Sequence, residues 1–215
     1  MAVETREWVF PGSDEFFRSI YTRAGIGVAE TLAVCSAIAG EGKTTVSIGL
    51  AVTIAQDFPE RRVLLVETDF RQPVLAGDFG VDASPGFADC LLNDQPINSA
   101  YRATLLDNLC LLPAGGPVER PTRLLRSTSM VAALAAIRQD HDLVILDVPA
   151  ILGSSDALFL SNLADAAVFV VRAGVTPSSL VSQAMEQLDQ GKLRGVVLNG
   201  ARSAVPGLLR RLLGA

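Results

Sequence analysis

The sequence predicts a doubly wound α/β domain, a mostly parallel sheet with helices on both faces. Three observations predict it. Short, almost wholly apolar runs recur along the chain and read as strands buried on both faces. Segments with helical apolar spacing alternate with them, which makes the strands parallel and the helices crossovers. A glycine-containing turn joins the first such strand to the first such helix, and acidic residues close two other strands.

The elements follow in order. Residues 1–30 read as an N-terminal segment with an amphipathic helix around Phe16, Phe17 and Ile20. Residues 32–36 (LAVCS) form a strand. Residues 43–56 form a helix, with Val46, Leu50 and Ile54 beside Ala51 and Ala55 at helical spacing. Strands follow at 62–66 (RVLLV), 109–112 (LCLL), 143–146 (LVIL), 168–171 (VFVV) and 196–198 (VVL). Residues 130–138 read as a helix rich in Ala and Leu. Before the last strand, Thr176 is placed to cap a helix and Pro177 suits its first position. Leu180, Val181, Ala184, Met185 and Leu188 give that helix an apolar face, and Gly191 ends it. Residues 72–122 hold six prolines and read as loops and short helices over the active face. The expected division is an N-terminal helical segment over 1–30, the α/β domain over 31–202, and a basic amphipathic tail over 203–215.

Composition narrows the function classes. The 215 residues are 49% hydrophobic and 19% charged, with mean hydropathy +0.36, so one domain with a large core is expected and disorder is excluded. Eighteen Lys+Arg against 23 Asp+Glu give −5, which argues against a nucleic-acid partner. The balance is uneven: Lys192, Arg194, Arg202, Arg210 and Arg211 follow residue 190 with no acid among them. Cys35, Cys90 and Cys110 have no CxxC spacing, and His141 is the sole histidine, so a disulfide framework, a zinc site and a Ser-His-Asp triad all lack material. Cys35 and Cys110 sit in apolar runs and read as small buried hydrophobes. The first residues are partly acidic and contain no apolar h-region, so they do not read as a signal peptide. No apolar stretch approaches the roughly 18–20 residues of a transmembrane helix. The expected location is cytoplasmic, with membrane contact only from the surface.

The chemistry begins at Ser36-Ala37-Ile38-Ala39-Gly40-Glu41-Gly42-Lys43-Thr44-Thr45. This is the lysine end of a phosphate loop, G-x-x-x-x-G-K-[ST], with Ala37 in place of the first glycine. Gly40 and Gly42 permit a tight loop whose N–H groups turn toward an anion, and the following helix adds its positive dipole end. The loop from Ala39 to Thr45 is therefore the candidate nucleotide site, with Lys43 reaching the β/γ-phosphates and the Thr44 hydroxyl placed to ligate Mg²⁺. Two strand ends supply acids. Glu67 and Asp69 lie two apart after the second strand, and Asp147 closes the apolar run 143–146 as a Walker B carboxylate.

Together these segments resemble the bacterial tyrosine kinases, the P-loop protein kinases of capsule and exopolysaccharide synthesis, over roughly residues 15–200. Residues 36–44 are similar to that family's S-x-x-P-G-E-G-K-[ST] loop, with Ala39 for Pro. Glu67-Thr68-Asp69-Phe70-Arg71-Gln72-Pro73 is similar to its D-x-D-x-R-x-P motif, with Glu67 for the first Asp. Leu112-Pro113-Ala114-Gly115 with Pro121, Leu124 and Leu125 resembles its LPAG…NPxELL segment, with Arg120 for the Asn. Residues 141–149, 170–172 with Thr176, and 197–199 resemble its remaining strand motifs. The wider group includes the MinD/ParA ATPases, whose loop carries an early signature Lys; Ile38 stands there, which favours the kinase branch.

The resemblance implies a P-loop NTPase fold and ATP with Mg²⁺ as cofactors. It makes Lys43 and Glu67 the catalytic pair, with Glu67 taking the substrate hydroxyl proton. Asp69 and Asp147 would join Thr44 at the metal, and Asn199 would approach the adenine. A membrane-embedded co-polymerase or chain-length regulator of polysaccharide export is the implied partner. Two departures bear on function. The family's C-terminal tyrosine cluster is absent; the tyrosines are Tyr21 and Tyr101. The family's subunit-contact motif E-x-x-R-x-x-R reads Glu15, Arg18, Tyr21, which leaves assembly into a homo-oligomer open. Tyr21 reads as a packed aromatic, with phosphorylation the competing reading.

Leu208, Leu209, Leu212 and Leu213 oppose Arg210 and Arg211 on a short amphipathic segment. Residues 207–215 thus read either as a helix docked on the domain or as a peripheral contact with the inner face of the plasma membrane. Three functions stay in play: a kinase, a nucleotide-driven switch or scaffold with weak transfer, and a MinD-like membrane-cycling ATPase.

Overall fold

The computed structural model describes residues 14–27 and 30–201. The tail over 203–215, with its two readings, lies outside the described residues. Helix α1 (Asp14–Ala24) comes first and buries Phe17, Ile20 and Ala24. Strand β1 (Glu30–Ser36) and helix α2 (Lys43–Asp57) follow, then β2 (Val63–Glu67). Two short helices, α3 (Leu75–Phe79) and α4 (Phe87–Asn93), cross the proline-rich region, followed by β3 (Arg102–Ala103) and β4 (Leu109–Leu112). Helices α5 (Pro121–Leu125) and α6 (Thr128–Asp140) lead into β5 (Leu143–Asp147). The chain closes with α7 (Ser155–Leu163), β6 (Ala166–Arg172), α8 (Ser178–Met185) and β7 (Leu193–Asn199).

The seven strands lie in the order β3-β4-β2-β5-β1-β6-β7. Every pairing is parallel except the antiparallel contact of the two-residue β3 with β4. Strands β1, β2 and β5 are buried along almost their whole lengths, as apolar runs covered on both faces must be. Alternate side chains separate two cores. Leu32, Val34, Leu65 and Ile145 pack under α1 and α2, whereas Ala33, Cys35, Leu64 and Leu146 pack under α4 to α8. Cys35 is fully buried and Cys110 half-buried. Among the described residues no helix is long and apolar enough to cross a membrane.

Most strands run a residue or more beyond the apolar cores that mark them in the sequence, because polar ends such as Glu30 and Asn199 continue the ladder. The helix expected from Thr176 to Gly191 is shorter. It starts after Pro177 and stops at Met185, and Leu188 reaches the core from the turn beyond it. Helix α1 docks through Phe17, whose ring fills the space a Cβ at Gly49 would occupy, only 2.1 Å from that position. Arg18 and Tyr21 both donate to Asp57 at the end of α2, at 2.8 Å, and the Tyr21 ring packs edge-on to Phe58. Tyr21 is the packed aromatic its neighbours on the helix implied.

Candidate nucleotide-phosphate and metal site

The carboxyl ends of the central strands carry the chemistry, at the crevice where strand order reverses on either side of β1. The chain leaves β1 at Ser36, whose hydroxyl donates to the Ile38 carbonyl at 2.8 Å. It then makes a loop in which Gly40 and Gly42 adopt φ of 82° and 90°, in the left-handed region that favours glycine. Gly42 is required twice over, since a Cβ there would stand 2.0 Å from Asn199 Nδ2. Gly42 is also the N-cap of α2 and brings no side chain to satisfy the first turn. Among the described residues, no protein group accepts from the N–H groups of Gly40, Glu41, Gly42, Lys43 or Thr44; the first helical bond runs from Val46 N to Gly42 O. A run of open donors at the head of a 15-residue helix is an anion site.

Glu41 holds this loop from behind. It is 1% exposed. Its Oε2 accepts from Ile38 N at 2.8 Å, while Oε1 accepts from the Thr176 hydroxyl at 2.7 Å and from Arg172 N at 3.3 Å. The side chain therefore ties the loop to the end of β6, and only its backbone is left for a ligand. This also corrects the expected part of Thr176: its hydroxyl holds Glu41, and α8 has Pro177 as N-cap with no side-chain bond. Asn199 completes the lock, donating from Nδ2 to the Glu41 carbonyl at 2.9 Å.

Asp147 stands beside the loop, 3% exposed, at the end of β5. Its Oδ2 accepts from the Thr44 hydroxyl at 2.8 Å and its Oδ1 from the Ser47 hydroxyl at 3.0 Å. Burial pushes its carboxyl up to about 6, against the pull of the Thr44 hydroxyl, the Lys43 charge and the Ser47 hydroxyl. Ser47 was not singled out in the sequence. The signal was there, since residues three apart on a helix share a face and Ser47 follows Thr44 by three. Thr68 fixes the same strand end, donating from its N–H and its hydroxyl to the Asp147 carbonyl. Lys43 is half-buried, and among the described residues no carboxylate lies within ion-pair distance of its ammonium.

The two acids after β2 behave differently from each other. Glu67 pairs in register with Asp147 but is 1% exposed and turned into the protein. Its Oε1 accepts from Val74 N and from Leu75 N, the latter at 2.7 Å, and its Oε2 accepts from Ala114 N at 3.1 Å. Burial raises its carboxyl above the ordinary range while these backbone donors pull the other way. A substrate hydroxyl has no access to it in this conformation, so direct proton acceptance by Glu67 is not the geometry found. The extra methylene of Glu over Asp is what lets the carboxylate reach across to α3 and to Ala114. Asp69 is half-exposed in the loop, its Oδ1 accepting from Arg71 N and Gln72 N at 3.2 Å. Its Oδ2 is turned to neither of them.

The donor set suits Mg²⁺ bound together with a nucleotide. Among the described residues no three His, Cys, Asp or Glu cluster as a metal cage would. Mg²⁺ does not ask for one, because it is held by one or two protein oxygens, substrate phosphates and water. Thr44 and Asp147 supply a hydroxyl and a carboxylate oxygen 2.8 Å apart, beside the open donors of the loop.

Comparison with known proteins agrees with this geometry. Residues 29–190 match the model of a family described as "AAA domain". Tyrosine-protein kinase YwqD of Bacillus subtilis is 31% identical over 196 residues, covering 88% of this chain and 82% of that protein. The chain belongs to the bacterial tyrosine-protein kinase family. The succinoglycan biosynthesis transport protein ExoP of Rhizobium meliloti is 30% identical over 176 residues, 80% of this chain but 22% of that protein. The kinase domain of Escherichia coli tyrosine kinase ETK superposes with a TM-score of 0.79 at 26% identity, covering 90% of this chain and 79% of that one. A septum site-determining MinD from Pyrococcus horikoshii, solved with Mg-ADP, shares the fold at a TM-score of 0.66 and 21% identity, over 86% of this chain and 76% of its own.

Proposed function

We propose that this chain binds ATP with Mg²⁺ and transfers the γ-phosphoryl group to a tyrosine of another protein, in capsule or exopolysaccharide synthesis. The observation that carries the reading is the run of open N–H groups from Gly40 to Thr44 beside Lys43 and the Thr44–Asp147 pair. The loop donors and Lys43 hold the phosphates. Thr44 and Asp147 would hold the metal, with Asp69 reaching it through water, and Ser47 keeps the second oxygen of Asp147 in place. Bound Mg²⁺ supplies neutralisation of the phosphoryl oxygens. Asn199 fixes the loop with its amide nitrogen, which leaves Oδ1 to accept from an adenine amino group. We assign Glu67 the positioning of the loop that carries Asp69, through its bonds to Leu75 N and Ala114 N. The partner that the relatives suggest is a membrane co-polymerase of polysaccharide export, working at the inner face of the plasma membrane.

The test is incubation with ATP·Mg²⁺ and cell extract, with phosphosite mapping against Lys43→Ala. The expected result is nucleotide turnover and phosphotyrosine on a second protein, both lost in the variant. Equal turnover by the two proteins overturns the reading. Turnover without phosphotyrosine selects the nucleotide switch instead, a reading that the burial of Glu67 favours.

A further inference from the structure

The body of this protein is acidic, yet one part of its active face is not. Helix α5 buries Pro121, Leu124 and Leu125, and the outward positions around it are Arg120, Arg123 and Arg126, all exposed. Arg71 joins them from the β2 exit loop, its Nη2 donating to the Thr122 hydroxyl at 3.0 Å and to Asp156 Oδ2 at 3.2 Å. Asp156 is 1% exposed and accepts from Thr122 as well, at 3.0 Å, so Arg71 is anchored on a buried carboxylate while half its own side chain faces solvent. That anchor employs one nitrogen of the guanidinium. Among the described residues its Nε and Nη1 donate to no protein group, and the side chains of Arg120 and Arg123 make no hydrogen bond or ion pair. Arg126 lies over the Phe159 ring and donates to the Ser155 carbonyl. The exposed acid in the strip is Glu119.

We propose that Arg71, Arg120, Arg123 and Arg126 form a docking surface for an acidic, tyrosine-bearing segment of a separate protein. Charge complementarity selects the occupant. At physiological ionic strength the screening length is about 8 Å, so a ligand on this strip feels the four arginines rather than the net −5 of the whole chain. Guanidinium groups pair strongly with carboxylates, and Arg71 offers Nε and Nη1 on a group already held in place through Nη2. Its position fits a phosphoacceptor, since Arg71 follows Asp69 by two residues on the same loop. The tyrosine in this assignment rests on the kinase reading; the acidic character of the segment does not.

The experiment uses the whole protein and a fluorescein-labelled peptide with one tyrosine flanked by glutamates. Controls are the same peptide with lysines for glutamates and vesicles of phosphatidylglycerol. Wild-type protein and Lys43→Ala are expected to bind the acidic peptide equally. Arg120→Glu with Arg123→Glu should weaken it by at least about tenfold, and the milder Arg120→Gln with Arg123→Gln by less, without change in ATP turnover. Wild type failing to bind, the charge-reversed protein binding as wild type, or the arginines serving vesicles and not peptide would each overturn the proposal. Arginine-dependent binding with no phosphotyrosine formed upholds the docking surface and removes the kinase reading.

Discussion

Glu41 in the loop after β1 and Glu67 at the last position of β2 are each 1% exposed, and they are used in opposite ways. After β1, Glu41 bonds to Ile38 N, Arg172 N and Thr176, none of them in the stretch from Gly40 to Thr44. The loop is rigid and its donors stay open. After β2, Glu67 and Asp69 take up the N–H groups of Val74, Leu75, Arg71 and Gln72, so that loop is rigid and closed. The two loops thus differ in whether an anion can enter. What separates them is the side on which the buried acid finds its donors.

Removing Glu41 should break this contrast most strongly. Glu41→Ala leaves the N–H of Ile38 and Arg172 and the Thr176 hydroxyl without their partner in a partly buried place. Each lost partner costs about 1–3 kcal/mol, so the melting temperature should fall by roughly 10 °C. Affinity for a fluorescent ATP analogue should fall at least about tenfold as the donors lose their arrangement. A variant that keeps wild-type affinity would show that the loop holds its shape without the lock.

Glu67→Gln should come next, and it should separate stability from binding. A neutral amide has one accepting oxygen and cannot serve both Leu75 N and Ala114 N. A loss of about 2 kcal/mol in thermal or urea unfolding is expected, with nucleotide affinity within about twofold of wild type. Affinity falling as far as in Glu41→Ala would place Glu67 in the nucleotide site after all. Asn199→Ala sits lower on the scale. It removes one bond to the Glu41 carbonyl and should cost about 1 kcal/mol of stability, with a small loss of nucleotide affinity in the same titration.

The sheet and the phosphate loop were legible because they depend on neighbours in sequence. Apolar runs marked the strands, and the loop showed its glycines and lysine in strand–loop–helix context. Asp147 was legible for the same reason, as an acid closing such a run. The directions of the buried acids were not. Glu41 is held by residues 131 and 135 positions away, and Glu67 by Ala114, 47 positions away. Thr176 has the sequence signs of a helix cap, which accepts from first-turn N–H groups, but its hydroxyl instead donates to the buried carboxylate of Glu41. Asn199 could be placed at a strand end, yet only the folded chain shows its amide bonded to the Glu41 carbonyl, close against Gly42.

The smallest effect comes from a third carboxylate, which tests whether burial is what gives the two glutamates their weight. Asp57 accepts from Arg18 and Tyr21, much as Glu41 and Glu67 accept from their partners, but it is only half-buried, between α1 and the end of α2. The Arg18 bonds hold its carboxyl below the ordinary carboxylate range, and Tyr21 adds to this. A depressed folded value means that the contribution is present above the unfolded value of about 3.9 and is lost as pH falls through the folded one. Melts between about pH 5 and pH 3 should therefore show a downward slope toward acid that Asp57→Asn flattens. Because water screens a partly exposed pair, the difference at pH 7 should be about 2 °C or less, well under that of either buried glutamate. A loss at Asp57 as large as that at Glu41 would mean that the number of donors, and not their burial, sets the strength of these locks.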